Sequence, residues 1–312
     1  MISVVYHKIK KFDPSMKFEN FLHVKNFNNQ IRFFKKKYKF FNCENLFEKK
    51  NLFKKKNIFL TFDDGLKGHY KYVLPILRRN KINGIFYLAT LPFQDEMILP
   101  VHKVHIMLAC IKNNLIIDCI NKNLDKKIID ENNYYKFEKM IYKNQTNANN
   151  NIKIKKILNY YIGENYKKEF IGKIFQYFFP TISEKKFVKK YYLSEKEIKQ
   201  LIKNKMILGA HTVNHHILSN LSFQKAKKEI NKSFDYLKQF TNYKTFSYPY
   251  GTKATYNYKI KDYLNKKKVS FSVTVGNKEI SESETKKNRQ EWSRYDCNRF
   301  QISKKLEKHL IK

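Results

Sequence analysis

Short apolar runs mark six predicted strands along the chain. Each run is rich in aromatic and β-branched residues, which pack well on the pleated surface of a sheet. The predicted strands are SVVYH at 3–7, NIFLTF at 57–62, GIFYLAT at 84–90, MILGAH at 206–211, KTFSYPYG at 244–251 and VSFSVTV at 269–275. We expect VSFSVTV to be the last strand.

Apolar residues at helical spacing fill the segments between these strands. The predicted helices lie at 18–37, 70–81, 194–205, 221–240 and 258–268. Ser194 and Glu197 have the spacing of a capping box, and Ser222 is the expected N-cap of the fourth helix. Pro75 is expected to interrupt the second helix, because proline removes a backbone donor.

The alternation of strands and helices with short links predicts a parallel α/β architecture, either an open sheet or a barrel. No glycine-rich phosphate loop follows a strand, which argues against a nucleotide-binding sheet. We therefore expect a distorted (β/α) barrel that forms a single domain over residues 1–300. Residues 95–192 are expected to form a largely helical insertion at the barrel rim, and residues 301–312 a C-terminal helical tail.

The chain is strongly basic, with 64 Lys and Arg against 27 Asp and Glu and a net charge of +37. Most of the positive charge comes from lysines spread along the chain beside abundant Asn, whereas directed phosphate recognition favours the bidentate fork of arginine. We therefore expect no specific nucleic-acid partner. The positive field is expected to attract anionic partners, such as nucleotide-linked sugars, lipid phosphates or a membrane surface.

The cysteines and the N-terminal segment bear on the compartment. Cys43, Cys110, Cys119 and Cys297 form no C-x-x-C pair and indicate no disulfide framework. The first residues lack a basic region followed by an apolar one, which predicts that there is no signal peptide. No apolar run approaches the roughly 20 residues of a membrane span. We expect a soluble cytoplasmic protein without a transmembrane segment.

Side chains able to do chemistry follow several predicted strands, and active sites of parallel α/β folds gather at strand ends. Asp63 and Asp64 follow one strand directly, and two adjacent carboxylates repel each other unless something offsets the cost. Helix capping and a metal ion are the two explanations. His211 and His215 follow another strand, and one carboxylate with two imidazoles is a sound ligand set for a divalent metal.

Three strand ends resemble motifs of the polysaccharide deacetylases, the NodB-homology family also called carbohydrate esterase family 4. TFDDG at 61–65 is similar to the first motif of that family. HTVNH at 211–215 is similar to its H-[ST]-x-x-H motif, and YPYG at 248–251 to the core of its third motif. The resemblance extends over about residues 1–95 and 200–300.

The resemblance implies a role for each matching residue. Asp63 is implied to be the general base. Asp64, His211 and His215 are implied to bind one divalent metal, for which zinc is the expected ion. The backbone N–H of Tyr250 is implied to help hold the oxyanion formed at an acetamide carbonyl.

Two features depart from the family pattern. Ser247 occupies the position of an arginine that steadies the catalytic aspartate, and Arg294 in WSRYD is the expected replacement. The late Leu-x-His motif that supplies the general acid is missing. His7 resembles the N-terminal acid of branches with a rearranged motif order, and we take it as the candidate acid. A histidine buried by hydrogen bonds in the barrel mouth is an equal alternative for this residue.

The 95–192 segment contains two further features. His102 and His105 lack a neighbouring acid–base partner in the sequence, so we interpret them as ordinary helix residues rather than metal ligands. The aromatic stretch at 170–180 is interpreted as core, with a lid or a glycolipid-facing surface as the alternative.

Together these features predict a metal-dependent hydrolase that removes an N-acetyl or other N-acyl group from an amino sugar. Because no secretion signal is predicted, the expected substrate is a nucleotide-linked or lipid-linked precursor of a surface glycan. One alternative is another C–N hydrolase on the same scaffold, such as a deformylase or cyclic amidase. The other is a catalytically inactive basic module that binds anionic glycan or nucleic acid, for which steep salt dependence would be the sign.

Overall fold

Ten strands, each paired in parallel with its neighbours, organise the part of the chain that the computed structural model describes, namely residues 1–48, 52–53, 56–138 and 149–300. The strands are β1 (Ile2–Tyr6), β2 (Ile9–Lys10), β3 (Leu22–His23), β4 (Lys39–Phe40), β5 (Asn57–Asp63), β6 (Ile85–Leu88), β7 (Ile207–Ala210), β8 (Thr245–Ser247), β9 (Phe271–Val275) and β10 (Trp292–Asp296). The predicted helical tail at 301–312 lies outside the described residues.

Seven of these strands close into a barrel in the order β1, β5, β6, β7, β8, β9, β10 and back to β1. The short β4 pairs with the start of β5, while β2 and β3 pair with each other apart from the barrel. Helices surround the barrel, so the predicted distorted (β/α) barrel is confirmed.

The expectation that VSFSVTV is the last strand is wrong, because β10 follows it and closes the barrel. Trp292 pairs with Val273 of β9, and Tyr295 pairs with Val4 of β1. The β10 segment WSRYD is short and half polar, so its composition alone does not mark it as a strand. Its strand conformation depends on partners that lie far away in the chain.

The helices of the described residues lie between and around these strands. The α-helices are α1 (Val24–Lys37), α2 (Glu44–Glu48), α3 (Leu74–Arg79), α4 (Leu91–Gln94), α5 (Pro100–Cys110), α6 (Asn113–Asn123), α7 (Glu131–Glu138), α8 (Asn149–Lys156), α9 (Glu164–Phe178), α10 (Glu184–Tyr191), α11 (Glu195–Lys203), α12 (Phe223–Leu237), α13 (Tyr258–Lys266) and α14 (Glu282–Lys287). Short 3₁₀ turns lie at Pro14–Met16, Lys126–Ile128, Leu218–Asn220, Lys253–Thr255 and Cys297–Arg299, and π-helical turns at His69–Val73 and Ile157–Tyr161. None of the described helices is long and apolar enough to cross a membrane.

All five predicted helices form, with shorter bounds than expected, as α1, α3, α11, α12 and α13. The predicted capping box begins α11: the Ser194 hydroxyl accepts from the Glu197 N–H, and the Glu197 carboxylate accepts from the Ser194 N–H. Ser222 caps α12 as expected. Pro75 lies in the first turn of α3, directly after the π-helical turn, where a missing N–H costs least.

Alternate residues of a barrel strand face opposite sides, as the two-residue period of a strand requires. In β5, Ile58, Leu60 and Phe62 pack in the apolar layer between the barrel and the helices. The other face carries Phe59 in the core cluster inside the barrel and Asp63 at the mouth. The strand end therefore delivers a carboxylate into the barrel mouth.

Helices α5, α6, α8, α9 and α10 pack around a second apolar cluster, which includes Leu66 and Val213 from the barrel mouth. Among its buried members are Val104, Ile116 and Leu158. The aromatic stretch at 170–180 contributes the buried residues Phe170, Ile171, Ile174 and Phe175, so its interpretation as core is confirmed for these residues, whereas Tyr177 is exposed. The assignment of residues 95–192 as an insertion within one domain stays a prediction.

Candidate active site and metal centre

The side chains at the barrel mouth stand on turns with left-handed backbone. The φ angles of Asp64, Thr212, His215 and Tyr250 are 79°, 64°, 58° and 61°, and Gly65 continues the first turn at 69°. Residues with a side chain seldom adopt this conformation. Strain of this kind, of order 1–3 kcal/mol for each residue, persists only where the surrounding structure holds it, and it clusters at active sites.

Asp64, His211 and His215 converge on one point. The Asp64 Oδ1 atom lies 3.5 Å from His211 Nε2 and 3.7 Å from His215 Nε2. One ligand atom from each residue lies within 4.8 Å of the others, and all three residues are buried. The sequence-predicted ligand set is therefore brought together by the fold.

These three residues fit a divalent metal. His211 Nδ1 lies 2.7 Å from the Ser247 carbonyl, which only accepts, so Nδ1 carries the proton and Nε2 presents its lone pair. Burial, with the charge of His211, lowers the pKa of His215 to about 3, so this imidazole is neutral and able to ligate. Asp64 Oδ1 is buried without a hydrogen-bond partner. A cation between the three groups would satisfy that oxygen.

Polar contacts hold the histidine-bearing loop in place from both sides. Glu229 of α12 accepts from the backbone N–H groups of Val213 and Asn214, at 3.1 and 2.8 Å. On the other side, His216 Nδ1 lies 2.6 Å from Glu164, the first residue of α9. The loop is thus fixed between α12 and α9, and α9 belongs to the helical segment at residues 95–192.

Asp63 lies beside the metal site and is held by Arg294 and Ser247. The Arg294 guanidinium donates to both carboxylate oxygens of Asp63, at 2.7 and 2.8 Å, and the Ser247 hydroxyl donates to Oδ2 at 3.0 Å. Burial alone would raise the pKa of Asp63, but the charge and hydrogen bonds of Arg294, together with the nearby imidazoles of His211 and His7, outweigh it, and the pKa lies below its usual range. The fold thus places Arg294, from β10, where the sequence analysis expected a replacement arginine.

Tyr250 lies directly against His215. Its ring centroid is 4.9 Å from that of His215 and 5.1 Å from that of Tyr160. Gly251 follows it with φ of 67°, and a Cβ there would lie 2.7 Å from the Val275 side chain. The glycine of the YPYG motif is therefore required by both backbone conformation and space.

His7 follows β1 at the barrel mouth, and its side chain is exposed. The alternative of a histidine buried in the mouth is therefore wrong. Burial on its own raises the pKa of Asp64, but the hydrogen bond from His102 and the attraction of the surrounding imidazole groups for the carboxylate hold it well below its usual range. Tyr6 is buried and donates its hydroxyl to Gln30, away from the mouth.

His69, which the sequence analysis did not single out, fixes the backbone at His7. Its Nε2 lies 2.8 Å from the His7 carbonyl. The ring is fully buried, and burial lowers its pKa to about 4, so the neutral ring donates from Nε2. A single histidine at the start of a helix carries no sequence signal for such a role.

His102 also reaches the site, so the interpretation that it lacks an acidic neighbour is wrong. Its Nε2 lies 3.2 Å from Asp64 Oδ2, and its Nδ1 lies 2.5 Å from the Tyr192 hydroxyl. His105, one turn further along α5, has a ring centroid 5.9 Å from that of His102. Only the tertiary structure brings α5 over the end of β5, since 38 residues separate His102 from Asp64.

A family model described as polysaccharide deacetylase matches residues 50–101 and 125–272, well over half of the chain. The chain therefore belongs to the polysaccharide deacetylase family, which supports carbohydrate deacetylation. A comparison with curated protein sequences finds no match.

Several solved structures share the fold. The deacetylase PplD of Streptococcus pyogenes, in complex with acetate, is 16% identical, with a TM-score of 0.58 over 95% of this chain and 91% of that one. A polysaccharide deacetylase from Bacillus cereus is 15% identical, with a TM-score of 0.54 over 100% of this chain and 68% of that one. A de-N-acetylase from Aggregatibacter actinomycetemcomitans is 12% identical, with a TM-score of 0.52 over 99% and 98%. At these identities the likeness concerns the fold alone.

Proposed function

We propose that the protein is a metal-dependent carbohydrate N-deacetylase that binds one divalent ion, zinc, through Asp64, His211 and His215. The observation that carries this proposal is the buried Asp64 Oδ1 atom, which has no hydrogen-bond partner and faces two imidazole nitrogens. When bound, such an ion supplies Lewis acidity for the water and for the acyl carbonyl.

Asp63 serves as the general base in this proposal. Arg294 and Ser247 keep its carboxylate ionised and fix its orientation beside the site. Asp63 takes a proton from the attacking water while the water oxygen forms a bond to the acetamide carbonyl carbon. The backbone N–H of Tyr250 helps hold the negative charge that develops on the carbonyl oxygen.

His7 supplies the proton that the leaving amine requires. When the C–N bond breaks, the electron pair goes to the sugar nitrogen, which must be protonated to leave as an amine. The exposed position of His7 at the mouth supports this role, because a general acid must reach the substrate. The products are acetate and a free amino sugar.

We propose that the substrate is an amino sugar of a surface-glycan precursor, which carries a phosphate-linked nucleotide or lipid. We propose that the protein encounters this precursor in the cytoplasm. The net charge of +37 supports it, because a positive field raises the local concentration of phosphate-bearing molecules. The same charge supports contact with an anionic membrane surface.

Metal analysis of the purified protein tests this proposal. The wild-type protein is expected to bind one zinc ion per chain, and His211→Ala to lose it, because one of three ligands is gone. His23→Ala is a matched control, since His23 caps α1 by accepting from the Lys25 N–H and is not one of the three proposed ligands. Stoichiometric metal in His211→Ala would overturn the assignment. A wild-type chain that binds no metal, but binds anionic glycan with steep salt dependence, would instead favour a binding module.

A further inference from the structure

We infer that His102 and Tyr192, both from the helical segment that covers the barrel mouth, are positioning residues for the metal ligand Asp64. The inference rests on the proposed function, because it concerns the metal site of that function. It assigns to the helical segment a part in forming the site, beyond covering it.

A chain of three hydrogen bonds carries the inference. The Leu99 N–H donates to the Tyr192 hydroxyl oxygen at 3.2 Å, and this hydroxyl lies 2.5 Å from His102 Nδ1. The Asp64 carboxylate can only accept, so the neutral His102 ring carries its proton on Nε2, and its Nδ1 accepts from the Tyr192 O–H. That Nε2–H donates to Asp64 Oδ2 at 3.2 Å.

The hydrogen bond from His102 gives the two oxygens of the Asp64 carboxylate different surroundings. His102 occupies Oδ2, which leaves Oδ1 directed at His211 and His215. A carboxylate with one oxygen held does not rotate freely, so its other oxygen is presented in one orientation. Carboxylate ligands of metal sites are commonly oriented in this way, and their hydrogen-bond partners affect metal affinity strongly.

His102 is placed to orient the ligand rather than to bind metal or to act on substrate. It does not belong to the group of ligand atoms that lie within 4.8 Å of one another, which Asp64, His211 and His215 form. Both of its ring nitrogens are engaged, and its side chain is 1% exposed. A ring in this position has no free nitrogen to offer a sugar.

A second connection joins Tyr192 to the turn that carries Asp64. Tyr192 pairs with Leu66 in an antiparallel bridge, and the Leu193 N–H donates to the Gly65 carbonyl at 2.9 Å. The same short segment therefore holds the backbone after Asp64 and, through its tyrosine, the side chain of Asp64. Two independent contacts thus fix the ligand from the helical segment.

The dissociation constant for Zn²⁺, measured by competition with a chromogenic chelator, tests the inference. We expect it to rise about 10- to 100-fold in His102→Ala, the range that loss of such a partner typically produces. Tyr192→Phe should weaken zinc binding less, because His102 remains but its tautomer is no longer fixed. His102→Gln should restore part of the affinity, because its amide donates a hydrogen bond. His105→Ala is the matched control on the next turn and should bind zinc like the wild type.

The outcomes are distinguishable. Wild-type zinc binding together with unchanged binding by His102→Ala and Tyr192→Phe would overturn the inference alone. Complete loss of metal in His102→Ala, with an altered Co²⁺ absorption spectrum in His102→Gln, would make His102 a ligand and also overturn it. Failure of the wild type to bind metal would overturn the proposed function and the inference with it. The thermal melting transition of each metal-free variant shows whether that variant folds. If His102→Ala does not fold, Tyr192→Phe still tests the inference.

Discussion

Asp63 and Asp64 are neighbours in the sequence, yet the structure gives their carboxylates different surroundings. Asp63 ends β5 on its inner face, where Arg294 and Ser247 occupy its oxygens. Asp64 is the first residue of a left-handed turn, which brings its side chain back toward His211. These surroundings support the proposed roles, in which Asp63 is the base beside the site and Asp64 is a ligand facing the histidines.

The Asp63→Asn variant is expected to keep the metal and to lose most turnover. It removes the base and spares the ligands, and loss of a general base costs about 10²- to 10⁴-fold in rate. The substitution also leaves the buried Arg294 without its counter-charge, so we expect a lower melting temperature. Acetate release and metal content, measured below that temperature, check the prediction. A near-normal rate would refute the role of Asp63.

The His7→Ala variant is expected to depress turnover without changing metal content or folding. His7 is exposed and is not among the ligand residues, so its removal takes away only the proton donor. The loss of turnover in His7→Ala should be smaller when the substrate is an acetate ester of a good leaving group, because such a group departs without a proton. An equal loss on both substrates would show that His7 does not act as the acid.

At the scale of single elements, His69 joins the π-helical turn at His69–Val73 to the backbone that follows β1. Its imidazole is expected to make the free energy of unfolding depend on pH. The His69 pKa is about 4 when folded, against 6.5 for a free imidazole, so the unfolded chain binds the proton more tightly. The contribution of His69 to the free energy of unfolding is therefore fully present above about pH 6.5 and falls as the pH drops toward 4.

Between pH 7 and 4.5 this group alone should remove about 2–3 kcal/mol of the free energy of unfolding. Urea unfolding of the metal-free protein at several pH values measures it. His69→Gln should be less stable at pH 7 but should lose less on acidification, because it has no proton to gain. Parallel pH curves for the two proteins would contradict this assignment.

Much of the barrel could be predicted from sequence because its strands are short, apolar and bounded by turns. β10 could not, since WSRYD is five residues long and three of them, Ser293, Arg294 and Asp296, are polar. Arg294 was nevertheless expected near Asp63, because Ser247 stands where the family has an arginine. His102 was misjudged for a different reason. Its partner Asp64 lies on another element, and no local pattern records a contact made by folding.

At the scale of the whole molecule, the barrel interior is layered from an apolar floor to a charged mouth. Phe271 and Trp292 stack at 4.5 Å in the floor, and the Arg294 guanidinium lies 5.8 Å from the centre of the Tyr87 ring above them. Arg294 in turn holds Asp63, and the residues proposed as metal ligands lie beyond. Removal of water around Arg294 and Asp63 strengthens their interaction, which keeps the Asp63 carboxylate fixed under the site.

In the proposed function, a metal at the barrel mouth enables the removal of acetyl groups. The most direct test measures acetate released from an N-acetylglucosamine substrate by one preparation before chelation, after removal of its metal, and after addition of one equivalent of Zn²⁺. We predict release in the first sample, its loss in the second and its recovery in the third, with no recovery in a parallel Asp64→Asn preparation. Acetate release that persists at the same rate after the metal is removed would contradict the account.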